Sequence, residues 1–455
     1  MVNAIYFYTT DCWEDIPVLM EEKGIKCKLT FTHKPMSENN FSVFDGIPAN
    51  IKDFSLIEKY LSLASIKIDP DIQKSVFKIF PLYIDQMSRM DVFYKACYHD
   101  YVNHFNLMFR FLYRFMIAEK IDVVFMTSYP HHGIDLLLIE VAKLLNIKTI
   151  FTLANYESET FIPVLHYSDT MDPDKYYHLM TKKQRDSHVQ IPKCYEKELH
   201  YMKNVKPVSE KPYRYGFNTL VRIYLAIMLV LKRYNSKIVK RFVKRMNLYY
   251  KVRNSLAYEK KYIKPVDLSQ KYVYFGLHLQ PEYTTSFWGK EYIDQLLAIE
   301  HLAYVIPGNW KIYVKENPKQ VEFQRHPLFY ERLHMIEKAV LVPNDTNTYE
   351  LIKNSQFCAS ISGTMLYEAV SGGKPAVIFG RHWYENLPGV FRFNKNLDIE
   401  KVVNYKINHQ ELEQTVRKFF ETAYECVQEE ASLEPAYREE NNKKYVAILL
   451  EALHR

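Results

Sequence analysis

The chain has 455 residues, of which 48% are hydrophobic and 25% are charged, and its formal net charge is +7. A single hydrophobic core rarely grows to this length, so we expect two domains, and the composition excludes a disordered chain. The six cysteines are scattered, with no C-x-x-C pair and no histidine at ligand spacing, so the sequence predicts neither a zinc site nor a disulfide framework.

The first half of the chain alternates apolar runs with segments of helical periodicity, which is typical of an α/β fold. Its predicted strands are Ala4–Tyr8, Ile121–Met126 and Ile147–Phe151. The apolar positions of Gly133–Leu145 fit a helix packed on a parallel sheet, so this helix and the two later strands form a β-α-β unit. The N-terminus lacks the basic and apolar regions of a secretory signal, which indicates a reducing, cytoplasmic location.

Two histidines, His131 and His132, lie in the loop that opens this helix. An imidazole at this position is a candidate base for an acceptor hydroxyl, because its unperturbed pKa lies close to neutrality. The alternative is that either histidine is an ordinary loop residue. The sequence leaves open which of the two, if either, has the catalytic role.

The segment between the two halves is strongly basic, with twelve Lys or Arg residues and no Asp or Glu from Lys211 to Tyr258. Apolar residues between Ile238 and Tyr250 fall on one helical face, and the opposite face carries Lys240, Arg241, Lys244 and Arg245. This pattern predicts an amphipathic helix that docks in the plane of an anionic membrane. The alternative is a solvated face whose apolar stripe packs on the protein. No nucleic-acid-binding motif accompanies the segment, and no apolar run approaches the ~20 residues of a membrane span.

The second half repeats the α/β alternation. Its predicted strands are Tyr272–Gly276, Trp310–Val314, Ala339–Val342 and Phe357–Ile361. Segments 409–430 and 437–455 have helical periodicity and are expected to close the structure. The predicted fold class is α/β, with two Rossmann-like domains that face a central cleft and a basic helical segment between them. The predicted boundaries are 1–205, 206–265 for the basic segment, 266–430, and 431–455 for a closing helix.

A local signal runs from Phe357 to Gly380 and predicts strand, tight turn, helix, turn and strand. Its first turn, Ser362-Gly363-Thr364, combines two hydroxyls, a glycine that permits close approach and the positive end of a helix dipole, which together suit a phosphate. Glu368, one turn into the helix, is placed to accept hydrogen bonds from a ribose. The alternative is that the turn only caps the helix.

Two other strands end in polar residues followed by proline, in His278-Leu-Gln-Pro-Glu282 and in Lys315-Glu-Asn-Pro318. The prolines end the strands and leave Glu282 and Glu316 at the carboxyl edge of the sheet, where α/β enzymes place their chemistry. Paired carboxylates suit general acid–base or nucleophilic roles in glycosyl transfer. The alternative, for either one alone, is a surface glutamate near a loop.

Taken in order, these segments resemble the bacterial capsule polysaccharide biosynthesis family, whose members include GT-B-like glycosyltransferases that use a CMP-activated Kdo donor. The resemblance is strongest across residues 272–390, and over the first half it is limited to the general layout. The matching motifs are Gln280, Lys315-Glu316-Asn317-Pro318, Ser362-Gly363-Thr364 with Glu368, and Gly373-Lys374-Pro375 with Phe379-Gly380.

The resemblance implies a nucleotide-sugar-binding second domain and an acceptor-binding first domain. The donor-binding residues that it implies are Gln280, Lys315, Asn317, Pro318, Ser362, Gly363, Thr364, Glu368 and Lys374. Two positions depart from the family pattern. Asn317 stands where the family has a histidine, and an aspartate expected after Gln280 is absent, which leaves Glu282 as the nearest carboxylate.

The activity that the resemblance implies is transfer of a sugar from a nucleotide-activated donor, CMP-Kdo-like or a UDP-sugar, to a capsule or other surface polysaccharide or its lipid-linked precursor. The expected partners are this donor, the glycan acceptor and anionic lipid of the inner leaflet, without nucleic acid. We expect no cofactor and no metal. The alternatives are a nucleotide-sugar epimerase or polyol phosphate transferase of the same architecture, and a non-catalytic scaffold of capsule assembly.

Overall fold

The structure is a computed structural model that describes residues 1–8, 13–32, 40–42, 55–90, 96–128, 130, 132–155, 160–164, 260–280, 282–317, 320, 325–420, 424–426 and 437–454. The chain divides into two compact units. The first unit takes Met1–Gln190, Pro281–Trp288 and Glu413–Arg455, and the second takes Ile191–Gln280 and Gly289–Leu412. Each unit is built on a mainly parallel sheet with helices, which confirms the prediction of two Rossmann-like α/β domains.

The described strands of the first sheet are β1 Val2–Phe7, β2 Ile25–Thr32, β3 Asn40–Ser42, β4 Val123–Met126, β5 Lys148–Asn155, β6 Thr160–Val164 and β13 Tyr424–Glu425. Their order is β13-β6-β5-β4-β1-β2-β3. The pairs β5–β6 and β6–β13 are antiparallel, and the other pairs are parallel. β4 is buried along its whole length, as expected for a strand that parallel neighbours flank and helices cover.

The described α-helices, numbered along the chain, are α1 Ile16–Glu21, α2 Ser55–Leu61, α3 Pro70–Val76, α4 Phe80–Met90, α5 Tyr98–Ala118, α6 Ile134–Leu144, α7 Tyr283–Ser286, α8 Gln295–Val305, α9 Pro327–Met335, α10 Thr348–Asn354, α11 Thr364–Ser371, α12 Ile399–Asn404, α13 His409–Phe420 and α14 Arg438–His454. The last helix packs on the first sheet, because the ring of its Tyr445 lies 4.0 Å from the ring of Trp13 and both belong to the core around β1. No described helix is both long and apolar enough to cross a bilayer.

The described strands of the second sheet are β7 Tyr272–Gly276, β8 Lys311–Lys315, β9 Ala339–Leu341, β10 Cys358–Ser360, β11 Ala376–Ile378 and β12 Val390–Arg392. They lie in the order β12-β11-β10-β7-β8-β9, and each neighbouring pair is parallel. This is the order of a doubly wound sheet, in which the direction of growth reverses between the first and fourth strands. The reversal lies here between β7 and β10.

Two stretches differ from the sequence-based expectation. The prediction of a helix over 409–430 is correct as far as Phe420, but Tyr424–Glu425 then pairs with β6 as an edge strand, so backbone pairing overrides the helical periodicity. Pro281–Trp288 and Glu413–Arg455 belong to the first unit, whereas the predicted boundaries put 281–288 and 413–430 in the second domain and 431–455 in a separate closing helix. The predicted basic helix lies outside the described residues.

Candidate functional site

The candidate site lies at the carboxyl edge of the second sheet, where the strand order reverses between β7 and β10. Proteins of this architecture bind ligands in the crevice at such a switch point. The loops that follow β7, β8 and β10 carry most of the donor-binding and catalytic residues that are predicted for this half of the chain. Hydrogen bonds join these three loops to one another.

The turn between β10 and α11 leads from a buried strand into the N-terminus of a helix. Gly363 is the N-cap residue of α11, with an extended backbone (φ −77°, ψ 155°), and it supplies no side-chain cap. Glycine is itself a common N-cap residue, and the phosphate-binding role of the turn stays a prediction. The Tyr384 hydroxyl donates to the Gly363 carbonyl at 2.5 Å and holds the turn from the other side. Burial raises the pKa of Tyr384 well above its ordinary value, so the hydroxyl keeps its proton.

His278 joins the end of β7 to this turn. Its Nε2 accepts the backbone N–H of Ser362 at 3.0 Å, so we assign the ring proton to Nδ1. Burial, assisted by the charge of Arg325, lowers the pKa of His278 to about 3, and the ring is therefore neutral at physiological pH. A Cβ atom at Gly363 would lie 3.1 Å from Cε1 and 3.2 Å from Nε2 of this ring. A side chain larger than that of alanine at position 363 would therefore crowd the imidazole.

A buried ion pair between Glu316 and Arg325 lies in the segment that follows β8. Arg325 Nε donates to Glu316 Oε2 at 2.6 Å and one of its terminal nitrogens donates to Oε1 at 3.0 Å, and both side chains are 4% exposed. Glu316 also accepts the N–H of Asn317 at 2.8 Å and the hydroxyl of Tyr330 at 3.4 Å. Both oxygens are committed to these contacts. These contacts give Glu316 a structural role, and its catalytic role stays a prediction.

Gln280 is held from several directions at once. Its N–H donates to Gln320 Oε1 at 2.8 Å, and its carbonyl accepts Gln320 Nε2 at 2.7 Å. Its side-chain oxygen accepts Gln295 Nε2 at 2.9 Å, and its amide nitrogen donates to the carbonyl of Ile293. The side chain thus fixes the loop from within the protein. The predicted contact of Gln280 with the donor remains a prediction.

Lys315 lies at the end of β8, where the prediction places it. Its Nζ donates to the Thr346 carbonyl at 2.6 Å and to Thr348 Oγ1 at 2.8 Å, which ties β8 to the loop before α10. Burial lowers the pKa of Lys315 to about 8, with a smaller opposing effect of Asp345. Asn317, two residues on, is partly buried, and Pro318 lies outside the described residues.

The two remaining predicted donor contacts differ in position. Glu368 is buried in the second turn of α11, 2% exposed, and its charge contributes to the raised pKa of Tyr384. Lys374 follows the carboxyl end of α11, and its Nζ donates at 2.6 Å to the carbonyl of Ser355, just before β10. Lys374 therefore lies at the amino edge of the sheet. This corrects its assignment to the donor site, because the eight residues of α11 separate it from the turn.

In the first unit, His132 lies in the loop between β4 and α6. Its backbone N–H donates to Asp135 Oδ1 at 3.0 Å, and its Nδ1 lies 3.1 Å from Asp135 Oδ2. Both side chains are buried. Asp135 can hold the imidazole in one orientation, with Nε2 as the other ring nitrogen, which is how a carboxylate orients a catalytic histidine. His131 lies outside the described residues.

Glu282 also belongs to the first unit, at the start of α7. Its Oε2 accepts the N–H of Thr284 at 3.2 Å and also the hydroxyl of Thr284. Its carbonyl accepts the N–H groups of Thr285 at 3.1 Å and Ser286 at 2.8 Å. The residue is half-buried. These contacts give Glu282 a structural role in its own turn and leave its catalytic role as a prediction.

Three residues of the site are absent from the set selected from the sequence. His278 is the first residue of the polar motif that follows the predicted strand Tyr272–Gly276. Its place directly after a strand is the sequence feature that could have identified it. Arg325 and Tyr384 stand in no motif, and only the fold brings them to the edge of the sheet. Among the residues that the structure describes, no group of three His, Cys, Asp or Glu side chains is arranged to hold a metal ion.

No protein-family model matches the chain, and no curated protein matches it either. Solved structures similar to it include the KpsC β-Kdo 2,7 transferase of Thermosulfurimonas dismutans, at 12% identity and a TM-score of 0.30, covering 66% of this chain and 78% of the other. The UDP-GlcNAc 2-epimerase of Methanocaldococcus jannaschii has 13% identity and a TM-score of 0.24, covering 92% and 99%.

A third similar structure is the UDP-GlcNAc 2-epimerase of Neisseria meningitidis bound to UDP-GlcNAc, at 12% identity and a TM-score of 0.22, covering 99% of each chain. Kdo transferases therefore stand among the similar structures, and the family that the motifs resemble also includes Kdo transferases. With every quoted TM-score below 0.5, the geometry of the site, and not these neighbours, carries the functional inference.

Proposed function

We propose that the chain is a glycosyltransferase that moves a sugar from a nucleotide-activated donor, CMP-Kdo-like or a UDP-sugar, onto a capsule or other surface polysaccharide or its lipid-linked precursor. The observation that carries the proposal is the glycine-led turn at Ser362–Thr364, which opens α11 at the switch point of a doubly wound sheet. This is where such sheets receive a nucleotide and where a helix N-terminus attracts a phosphate.

The hydrogen bonds of the turn limit how a phosphate binds there. The backbone N–H of Ser362 donates to His278. A donor phosphate would therefore accept hydrogen bonds from the backbone N–H groups of Gly363 and of the first turn of α11. The adjacent hydroxyls and the ammonium of Lys315 at the same edge add donors and positive charge. The acceptor hydroxyl then needs a base, for which the candidates among the described residues are Glu282, Glu316 and His132.

Incubation with CMP- and UDP-sugars, each with and without a lipid-linked or glycan acceptor, tests the proposal. A glycosyltransferase consumes donor and releases nucleotide when the acceptor is present. Turnover of donor alone to an isomeric nucleotide sugar would replace the proposal by an epimerase. Transfer only from an activated polyol phosphate would indicate a polyol phosphate transferase. Failure to bind any of these donors would leave a non-catalytic scaffold.

Donor affinity should fall at alkaline pH. Because burial lowers the pKa of Lys315 to about 8, its ammonium is present below that pH and lost above it. Loss of a positive charge beside an anionic ligand weakens binding, at most tenfold per pH unit for one proton. We expect the dissociation constant of CMP or UDP to be flat from about pH 7 to 7.5 and to rise above about 8, as measured by calorimetry.

Two variants provide the control. Lys315→Met should weaken binding below pH 8 and remove the alkaline step. Lys374→Met removes another lysine, which is half-buried and has a pKa that burial also lowers, but which lies at the opposite edge of the sheet. This second variant should keep the parent affinity and the parent pH profile. A flat profile in the parent, or weakened binding in Lys374→Met, would contradict the placement of the donor.

The proposed place of action is the inner leaflet, where a lipid-linked acceptor would be found. The residues involved, Lys240, Arg241, Lys244 and Arg245, lie outside the described residues, so this expectation rests on charge and spacing in the sequence. The protein should sediment with anionic but not zwitterionic vesicles, and less so at high salt. Changing the four residues together to Gln should release it without lowering activity on a soluble acceptor. Equal sedimentation of parent and variant would remove the membrane from the proposal.

A further inference from the structure

The side chain of Arg325 joins residues from two of the three loops of the site. It donates to both carboxylate oxygens of Glu316. One terminal nitrogen also donates to the carbonyl of His278 at 2.7 Å, and the other donates to Gln280 Oε1 at 3.2 Å. The guanidinium lies 4.4 Å above the ring of Phe329. Its acceptors thus come from the end of β8 and from the loop after β7.

These contacts form a continuous path to the phosphate turn. Glu316 orients Arg325, Arg325 holds the backbone of His278, and the ring of His278 accepts the N–H of Ser362. A guanidinium suits this task because its planar fork presents several donors in fixed directions, whereas a lysine ammonium is a point charge on a flexible stem. We propose that Arg325 is a positioning residue of the donor site, which fixes the loop after β7 so that His278 holds the turn at Ser362.

A buried ion pair is weak evidence of a stabilising role. A buried ion pair loses the hydration of both charges, and an uncharged pair of similar size is often as stable or more so. Single and double variants can therefore distinguish an ion pair that fixes the shape of the loop from an ion pair that only stabilises the fold. Removing one partner damages both shape and stability, because a charge is left buried alone. Removing both restores stability but not the hydrogen bond to the His278 carbonyl.

The test compares Arg325→Met, Glu316→Gln and the double variant with the parent. Three quantities are measured: the unfolding temperature, the hydrogen–deuterium exchange of the Ser362 amide, and the affinity for the nucleotide that the parent binds. We expect Arg325→Met to unfold at lower temperature, to exchange the Ser362 amide at least about tenfold faster, and to bind nucleotide about tenfold or more weakly. The double variant should recover the unfolding temperature while its exchange stays fast and its binding stays weak.

Recovery of slow exchange and of affinity together with stability in the double variant would overturn the proposal, because Arg325 would then serve the fold alone. If Arg325→Met does not fold, Arg325→Lys keeps the charge without the fork, and it should fold while still exchanging the Ser362 amide faster than the parent. Parent-like exchange in that variant would equally overturn the proposal.

The role in donor binding rests on the proposed function, but the exchange measurement needs no ligand, so the two fail separately. A parent that binds no nucleotide, with exchange that responds as expected, refutes the donor and keeps the positioning. A parent that binds nucleotide, with exchange and affinity untouched by Arg325→Met, refutes the positioning and keeps the donor.

Discussion

Gly363→Val is expected to abolish nucleotide-sugar binding. The backbone at Gly363 is extended, a conformation open to any residue, so the substitution meets no dihedral penalty. The obstacle is the ring of His278, which a Cβ would approach to 3.1 Å, and the two γ-methyl groups of valine would crowd the ring and the phosphate site further. Because overpacking costs about 1–3 kcal/mol and each 1.4 kcal/mol is about tenfold in affinity, we expect a loss of affinity of about 100-fold, measured by calorimetry with CMP- and UDP-sugars.

Gly363→Ala is the matched control. Its Cβ requires the imidazole to move by only a few tenths of an ångström, so we expect affinity to fall by about tenfold or less. Thermal unfolding of both variants separates a blocked site from a lost fold. The sequence alone predicts that the valine variant keeps its fold. The contact with His278 shows that the neighbouring loop has to adjust as well. A valine variant that binds donor as the parent does would refute the phosphate assignment.

The central strands of both sheets were predictable because they are continuous apolar runs. β7 lies over the same residues as its prediction, Tyr272–Gly276, and its first four residues are buried. β2, in contrast, has the sequence IKCKLTFT, and its polar positions hide it among loop residues. β12 is a short edge strand with an exposed arginine and has no apolar run to detect. Burial on both faces leaves a strong signal in composition, whereas pairing at an edge leaves little.

The site was predictable where chemistry follows a strand directly and unpredictable where it depends on contacts across the fold. Ser362 and Lys315 follow buried strands, and the structure places both at the predicted edge. Arg325 is held at this edge by hydrogen bonds to Glu316 and to the carbonyl of His278, which lie 9 and 47 positions away in the sequence. Lys374 shows the opposite error. A strand–turn–helix–turn–strand unit puts its second turn at the other end of the helix, so topology alone could have excluded this residue from the site.

Glu282→Gln should keep donor affinity and lower turnover by about 100-fold or more, the scale expected when a positioned acid or base is removed. Glu282 follows the loop of Gln280 within two residues and is the carboxylate nearest to the place where the family pattern has an aspartate. Glutamine keeps a side-chain oxygen to accept the N–H of Thr284, so the start of α7 is preserved and the charge alone is removed.

Thr284→Val provides the structural comparison. It removes the hydroxyl that donates to Glu282 but leaves the carboxylate in place. If Glu282 matters only for the local turn, Thr284→Val and Glu282→Gln should have similarly small effects on turnover. If Glu282 is the base, the glutamine variant should lose far more than the valine variant. Turnover is measured under saturating donor, so that any change in affinity does not enter the comparison.

Unchanged turnover in Glu282→Gln would move the role of base to Glu316 or to a histidine of the loop before α6, and the ion pair between Glu316 and Arg325 makes the histidine the first to test. His132 would then be the described candidate, since Asp135 bonds both its backbone and its Nδ1. Under that outcome, His132→Phe should lower turnover by about 100-fold. Asp135→Asn should lower it by a smaller factor, because the asparagine side chain still holds the backbone of the loop but lacks the charge that orients the imidazole. If His132→Phe also turns over as the parent does, neither Glu282 nor His132 is the base.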